Sequence, residues 1–127
     1  MSAEENRATV LKFINTMAEH GALNESLITS DFRIWGPTIG TMDAKTYKEC
    51  VASLRGLMPN LPKFTVISTT AEDNRVALEV DGAAILADGR RYENKYIMLF
   101  EFQDGRIRMI KEFLDSKLAF DFFGDNR

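Results

Sequence analysis

The stretch RVALEVDGAAIL, residues 75–86, is rich in aliphatic side chains, alternates apolar and acidic residues over positions 78–81, and predicts a long β-strand. Successive side chains on a strand point to opposite faces. Glu79 and Asp81 therefore share one face, and the other face carries Val76, Leu78 and Val80. Aspartate is disfavoured inside strands, and two ionised acids on one face repel each other. Either this acidic face lies in water, or it lines a site that uses the acids.

Three more stretches with alternating patterns, residues 63–71, 92–102 and 107–114, flank this strand. The connections between them contain Glu-Asp-Asn or Asp-Gly sequences, which favour tight turns between antiparallel neighbours. The second half of the chain is therefore predicted to form a meander of four antiparallel strands.

The first half of the chain is mainly helical in its pattern. Apolar residues at helical spacing predict a first helix that starts at the capping box of Ser2 and Glu5 and stops at Gly21. Helices followed by strands predict an α+β fold in which helices cover one face of a curved sheet. The remaining predicted elements are a short helix, a short strand, a third helix capped by Asp43 and a final short helix, over residues 23–29, 32–35, 43–57 and 116–123 respectively.

The composition is typical of a soluble globular domain. The 127 residues fit one domain, residues 1–127, with one core. The net charge of −3 disfavours nucleic acid as a partner, because phosphate binding needs a basic face. The acidic N-terminus is not typical of a signal peptide and no apolar run reaches the length of a membrane span, so we expect a cytoplasmic protein with no membrane partner.

Chemistry that depends on metals or nucleotides has little support in the sequence. A single histidine, His20, and a single cysteine, Cys50, do not indicate a zinc site or a Cys–His catalytic pair. A Gly-rich phosphate loop is also missing from the sequence. We therefore expect no metal and no cofactor.

Three segments carry a resemblance to a known group: residues 89–96 (GRRYENKY), 100–107 (FEFQDGRI) and 111–115 (KEFLD). Together with Trp35-Gly36-Pro37 they resemble the SnoaL-like branch of the nuclear transport factor 2-like superfamily, whose members include ketosteroid isomerase and limonene epoxide hydrolase. The resemblance implies a cone-shaped α+β fold, with a curved antiparallel sheet wrapped over three N-terminal helices around an internal pocket. It also implies a homodimer formed through the outer face of the sheet.

The same resemblance implies positions for catalytic residues. Asp81 and Asp115 fall where limonene epoxide hydrolase has its two catalytic aspartates, so both are expected to point into the cone. The arginine between them in that enzyme corresponds to Glu79 here, and its water-orienting tyrosine and asparagine correspond to Arg33 and Trp35. The epoxide-hydrolase machinery is thus incomplete, and that reaction is not carried over.

Placing Asp81 and Asp115 inside the cone gathers other side chains around them, provided that no bulge interrupts the last strand of the meander. We expect Asp81 to act as a general base and Asp115 to hold a water or share a proton. Glu79 and Arg33 would form a charge pair that tunes the pKa values of these acids. The expected substrate-binding residues are those that share the inner face with the acids: Trp35, Asn94, Tyr96, Met98, Phe100 and Phe113.

The function predicted from these residues is cofactor-independent acid–base catalysis on a small apolar molecule, by an isomerase, cyclase, dehydratase or hydrolase. The alternative is a non-catalytic ligand-binding or dimeric assembly domain of the same fold. Structural roles also stay open, because Asp115 suits the N-cap of the last helix and Trp35 suits a core. If the acids face inward, an apolar sheet face is exposed and a dimer covers it, and that face carries Val76, Leu78, Val80, Ile97, Leu99 and Ile110.

Overall fold

The computed structural model describes residues 2–125 and 127. Its first element, helix α1 (Ala3–His20), starts at the predicted capping box. The Ser2 hydroxyl accepts a hydrogen bond from the Glu5 backbone, and the Glu5 carboxylate accepts one from the Ser2 backbone. The helix ends at Gly21, whose φ of 59° lies in the left-handed region that glycine adopts without steric cost. Local sequence therefore defines both ends of α1.

The other elements follow the predicted order, with one addition. The predicted second helix is a single 3-10 turn, Glu25–Leu27. A short strand at residues 40–43 was not predicted from the sequence. After the 3-10 turn the elements are β1 (Ile28–Gly36), β2 (Gly40–Asp43), α2 (Ala44–Arg55), β3 (Lys63–Glu72), β4 (Arg75–Ile85), β5 (Arg91–Gln103), β6 (Arg106–Leu114) and α3 (Ser116–Phe123).

The strands form one six-stranded sheet in the order β2-β1-β6-β5-β4-β3. Strands β1 and β6 are parallel and the other neighbouring pairs are antiparallel, so the sheet is mixed. A parallel pair needs a long connection, and β2, α2 and the strands β3, β4 and β5 lie between β1 and β6 along the chain. Helix α1 contacts β3 and β4, while α2 contacts β1 and β2. The predicted α+β architecture, with helices packed on a curved sheet, is confirmed.

The core lies on the inner face of the sheet, which is the face that the helices cover. In β4 the inward residues are Val76, Leu78 and Val80, each at most 1% exposed. On β5, the ring of Phe100 meets Phe13 of α1 edge-on, with ring centroids 5.8 Å apart. Burying such a side chain contributes roughly 1.5–3 kcal/mol. The apolar side of β4 is therefore the core side, and its acidic side belongs to the outer face.

A β-bulge in β6 reverses the alternation that the sequence predicts for this strand. Ile107 and Met109 pair with consecutive residues of β5, which leaves Arg108 between them as an extra residue. Ile107 and Ile110 are both fully buried although they lie three positions apart. Beyond the bulge, the residues of β6 that point inward are therefore those that an unbroken strand would point outward.

Candidate active site

A cavity of about 170 Å³ lies between the inner face of the sheet, helices α2 and α3, and the loop that follows α2. Its size suits a single-ring molecule, since an engineered apolar cavity of about 150 Å³ takes up benzene. The walls are mostly apolar, which is typical of a small-molecule site. The aromatic side chains that line it are Tyr47, Phe64, Tyr92, Tyr96 and Phe123.

Glu112 of β6 is the one carboxylate among the described residues that line this cavity. The bulge at Arg108 turns it inward, where it pairs with Met98 on the inner face of β5. Its Oε2 atom lies 3.5 Å from the position that a β-carbon would take at Gly36 of β1. The missing side chain at Gly36 leaves the space next to this carboxyl group open.

The carboxyl group of Glu112 faces the cavity without a counter-charge. Among the described residues, none donates a hydrogen bond to it or forms an ion pair with it. Part of the side chain remains accessible from the cavity, but the surrounding protein shields it from bulk water. Burial raises the pKa of Glu112 from 4.5 to about 7, because apolar surroundings disfavour the charged form. Both protonation states are therefore populated near neutral pH.

Tyrosine hydroxyls provide the other polar groups of the cavity. Burial is the largest cause that raises the pKa of Tyr47, Tyr92 and Tyr96, and the charge of Glu112 adds to the increase in each. These hydroxyls therefore stay protonated at neutral pH and can donate hydrogen bonds. All three tyrosines line the same cavity as Glu112.

The inward direction predicted for one face of β5 is confirmed. Tyr96 lines the cavity. Asn94 is buried next to it and donates hydrogen bonds to the Tyr92 hydroxyl and to the backbone carbonyl of residue 115. Met98 and Phe100 belong to the hydrophobic core rather than to the cavity wall. Only part of the predicted substrate-binding set therefore lies at the cavity.

Glu79 and Asp81 lie on the outer face, so the prediction that they point into the cone is wrong. Asp81 pairs with Lys95 of β5 and accepts a hydrogen bond from its Nζ at 3.0 Å. Glu79 accepts one from the Ser68 hydroxyl at 3.1 Å. Paired residues on neighbouring antiparallel strands point to the same side, so Asp81 shares the face of Lys95 and not that of Tyr96. The reading that puts these acids in water is the correct one.

Asp115 and Arg33 are also outside the cavity wall, contrary to the prediction. The Asp115 carboxylate accepts a hydrogen bond from the backbone of Leu118 at 3.1 Å and caps α3, which is the structural role that the sequence left open. Arg33 is exposed on β1, where its guanidinium donates to two neighbouring backbone carbonyls. Within the described part of the chain it forms no ion pair with Glu79.

Trp35 and Phe113 pack against each other on the outer face, with ring centroids 5.3 Å apart. The bulge in β6 turns Phe113 outward, and it is 46% exposed. Neither ring lines the cavity. Their predicted position inside the pocket is therefore wrong, and Trp35 is not a fully buried core residue either.

The outer face exposes apolar residues, and two of the six residues predicted to lie there, Ile97 and Leu99, do so. Ile97 pairs with Phe113 and is 51% exposed, and Leu99 lies partly exposed two residues further along. We call Trp35, Ile97, Leu99 and Phe113 the outer apolar patch. The residues that were expected to be exposed and are instead buried in the core are Val76, Leu78, Val80 and Ile110.

Sequence reasoning missed Glu112, although it lies within the KEFLD segment, because an unbroken β6 would point it outward. One signal was available. Ile107 and Ile110 lie three positions apart, and a strand buries both on one face only when a bulge lies between them. Tyr47 and Tyr92 carried no comparable signal, because aromatic residues at these positions are equally typical of a core.

No cluster of three or more His, Cys, Asp or Glu side chains is placed to hold a metal ion in the described residues. Over residues 2–125 and 127, no helix is long and apolar enough to cross a membrane. Among the described residues, Glu112 is the acidic group that lines the cavity.

The SnoaL-like domain family matches residues 6–110, and the chain belongs to this family. The phenazine biosynthesis protein PhzB of Pseudomonas fluorescens is 29% identical over 123 aligned positions, and the match covers 87% of this chain and 75% of that protein. An LEH-like epoxide hydrolase from M. tuberculosis is similar in structure, with a TM-score of 0.77 and 16% identity over 94% of this chain and 89% of that chain. An NTF2-like protein from Anabaena variabilis also has a TM-score of 0.77, with 16% identity over 89% of each chain. The predicted family and cone-shaped fold are confirmed.

Proposed function

We propose that this chain is an enzyme in which Glu112 acts as a general acid–base on a small, mostly apolar molecule bound in the cavity. The observation that carries the proposal is a carboxyl group with a pKa of about 7 inside an apolar cavity. A general acid or base works best when its pKa lies near the operating pH. The reaction class is proton transfer, or addition or elimination of water, as in isomerases, cyclases, dehydratases and hydrolases.

The surroundings of Glu112 suit such a reaction. In its charged form the carboxylate takes a proton from a carbon acid or a water, and in its neutral form it returns a proton to another atom. The apolar walls limit the access of bulk water and strengthen electrostatic interactions inside the cavity. Acid–base catalysis of this kind contributes roughly 10²–10⁴ in rate.

The comparisons support a role in small-molecule chemistry. One relative is named for phenazine biosynthesis, and one structural neighbour is an epoxide hydrolase. Both descriptions concern small organic molecules, which agrees with a cavity of about 170 Å³. The position of Glu112, rather than the names of these proteins, is the basis for assigning it the acid–base role.

The first test measures the pKa of Glu112 directly. Carboxyl chemical shifts of protein labelled with ¹³C-glutamate are followed from about pH 4 to about pH 9. The wild-type protein should show one glutamate that titrates near pH 7, and Glu112→Gln should lack this signal. If no glutamate titrates in this range, the proposal loses its basis.

The second test is turnover. Single-ring ketones, epoxides and hydroxylated analogues are screened by NMR for conversion by the wild-type protein. For any substrate found, Glu112→Gln should reduce kcat by roughly 10²–10⁴. Asp81→Asn is the matched control, because it removes a carboxylate from the outer face and should retain the rate. Equal conversion by the Glu112 variant would refute the proposal, and binding without conversion would favour the ligand-binding alternative.

We propose in addition that the outer apolar patch contacts a second copy of this chain. Ile97 and Phe113 are 51% and 46% exposed there, beside the Trp35 ring. The ion pairs Lys95–Asp81 and Lys111–Glu101 flank the patch. Positive and negative groups are thus both present there, which allows two copies to meet with complementary charges. Light scattering should give a dimer mass for the wild-type protein and a monomer mass for Phe113→Lys. A monomeric wild-type protein at micromolar concentration would contradict this interface.

A further inference from the structure

We infer that Cys50 is a covalent attachment site for a single-ring α,β-unsaturated ketone that enters the cavity. The sulfur of Cys50 bonds to the β-carbon of this ligand and forms a thioether. The acid–base role of Glu112 does not require this reaction, so the inference goes beyond the proposed function although it uses the same cavity. The chain contains a single cysteine, so any thioether formed with a cysteine identifies this residue.

Helix α2 brings Cys50 to the cavity. The helix starts at Asp43, whose carboxylate accepts a hydrogen bond from the backbone N–H of Thr46 at 2.8 Å. From this start, residues spaced by three or four positions fall on one side of the helix, and Tyr47, Cys50 and Leu54 all line the cavity. Cys50 is half-buried and forms no disulfide. A ligand in the cavity therefore lies against a residue with a free thiol.

An independent observation at Thr38 indicates a ligand with an oxygen atom. Thr38 follows β1 in the turn to β2, lines the cavity and is 9% exposed. Its hydroxyl has no hydrogen-bond partner among the described residues. Buried hydroxyl groups are rarely left without a partner, because they have lost their hydrogen bonds to bulk water. An oxygen atom of a ligand in the cavity supplies the partner that the protein does not.

The surroundings of Cys50 keep its thiol protonated at neutral pH. Burial and, to a smaller extent, the charge of Glu112 raise the pKa of Cys50 above its ordinary value. Since the thiolate is the nucleophilic form, the thiol reacts slowly with reagents in bulk water. A ligand held in the cavity reacts faster, because two groups fixed next to each other have a high effective concentration. Cys50 should therefore react selectively with molecules that fit the cavity.

The apolar walls favour addition over substitution at the sulfur. Substitution would release an anion into mostly apolar surroundings, which disfavour a charge. In the addition, the S–H bond and the π bond of the C=C group break, and a bond forms between sulfur and the β-carbon. The π electron pair moves to the α-carbon, which takes up the proton that sulfur loses. No group leaves, and the reaction needs no oxidant or other reactant.

Cyclohexenone is a suitable probe because it is a single-ring α,β-unsaturated ketone. At neutral pH the intact mass of the wild-type protein should increase by the mass of one cyclohexenone, and peptide mapping should locate the addition at Cys50. Cys50→Ser should form no such adduct. A wild-type protein that stays unmodified, or an adduct that persists in Cys50→Ser, would overturn the inference.

Two controls distinguish attachment inside the cavity from the ordinary reaction of an exposed thiol. Cyclohexanone has the same ring and oxygen without the C=C bond, so at about ten times its Kd it should slow adduct formation about tenfold. Pyrenylmaleimide carries four fused rings and is too large for the cavity. The ratio of the rates with folded and urea-unfolded protein should be at least about tenfold higher for cyclohexenone than for pyrenylmaleimide. Equal ratios without protection by cyclohexanone would refute attachment in the cavity.

The contribution of Thr38 is measured with cyclohexanone alone. Thr38→Val removes the hydroxyl and nearly keeps the volume of the side chain, and the Kd of cyclohexanone should become about 3- to 10-fold weaker. Thr41→Val is the matched control, because Thr41 is exposed on β2 and does not line the cavity. An unchanged Kd in Thr38→Val would overturn the ligand class.

Failure of this inference and failure of the proposed function give different results. Glu112→Gln removes a charge that raises the pKa of Cys50, so this variant should form the adduct at least as fast as the wild-type protein. If Cys50 is not modified while Glu112 still titrates near pH 7, only the covalent site is refuted. If no glutamate titrates there while cyclohexanone still protects Cys50 from modification, the acid–base role is refuted and the covalent site stands.

Discussion

The inner and outer faces of the same sheet place carboxyl groups in opposite environments. On the outer face, Asp81 is 41% exposed at its side chain and pairs with Lys95, whose side chain is 84% exposed. On the inner face, Glu112 has no counter-charge among the described residues, and burial raises its pKa to about 7. Exposed ion pairs contribute only about 0–1 kcal/mol and are screened by salt. A single carboxyl group in apolar surroundings is therefore better suited to acid–base catalysis than several carboxylates in water.

The inward and outward positions are only one residue apart along the chain. Glu112 and Phe113 are consecutive, yet the first lines the cavity and the second is exposed on the opposite face. The extra residue Arg108 decides which of them points inward, because side chains on a strand alternate with a period of two.

The largest expected effect on stability comes from placing an acidic residue on the inner face of β4. Val80→Asp places a carboxyl group where Val80 is 1% exposed, and should lower the free energy of unfolding by roughly 4 kcal/mol or more. Asp81→Val, one residue along, should change it by about 0.5 kcal/mol or less. Urea denaturation measures both. If Val80→Asp does not fold, Val80→Thr should still cost more than Asp81→Val, and equal losses at the two positions would contradict the assignment of the faces.

The next effect is a pH dependence that belongs to the inner face. The pKa of Glu112 in the folded protein, about 7, lies above its ordinary value of 4.5, so the folded state binds this proton more tightly than the unfolded chain. Its stabilising contribution is fully present below about pH 4.5 and is lost as the pH rises through about 7. Over this window the wild-type protein should lose up to about 3 kcal/mol relative to Glu112→Gln. Urea unfolding at several pH values tests this, and a pH-independent difference would contradict it.

A smaller effect is expected where the inner face has no side chain. Gly82→Ala introduces a β-carbon 2.8 Å from Cε1 of Tyr96, and moving this ring should cost about 1–2 kcal/mol. Ala77→Ser on the outer side of β4 is the control and should stay within about 0.5 kcal/mol. If Gly82→Ala leaves the stability unchanged, the ring of Tyr96 is not positioned by Gly82.

The smallest effect concerns Asp115, which caps α3. Asp115→Ala should lower the free energy of unfolding by about 1 kcal/mol, because the backbone N–H of Leu118 loses its acceptor. Asp115→Asn should be close to the wild-type protein, since asparagine caps helices about as well. Thermal unfolding compares the two. A large loss of turnover in Asp115→Asn with unchanged stability would restore the catalytic role that the sequence suggested.

Most of the fold could be predicted because its signals are local. The capping box of Ser2 and Glu5, the stop at Gly21 and the Asp-Gly turns each act within a few residues of the backbone that they shape. The candidate site was predicted poorly for the opposite reason. Asp81 and Tyr96 were placed on one face, although the register of β4 and β5 pairs Asp81 with Lys95, and this register depends on contacts between strands.

The sequence by itself determined the order of helices and strands, most of their bounds and the family. Each of these depends on periodicity, caps, turns or motifs that can be read along the chain. Only the tertiary structure decided which face of the meander is covered and that Glu112, rather than Asp81, faces the cavity. The physical reason is that a carboxyl group's pKa depends on its surroundings in space, and one bulged residue in β6 changes those surroundings without changing the acid.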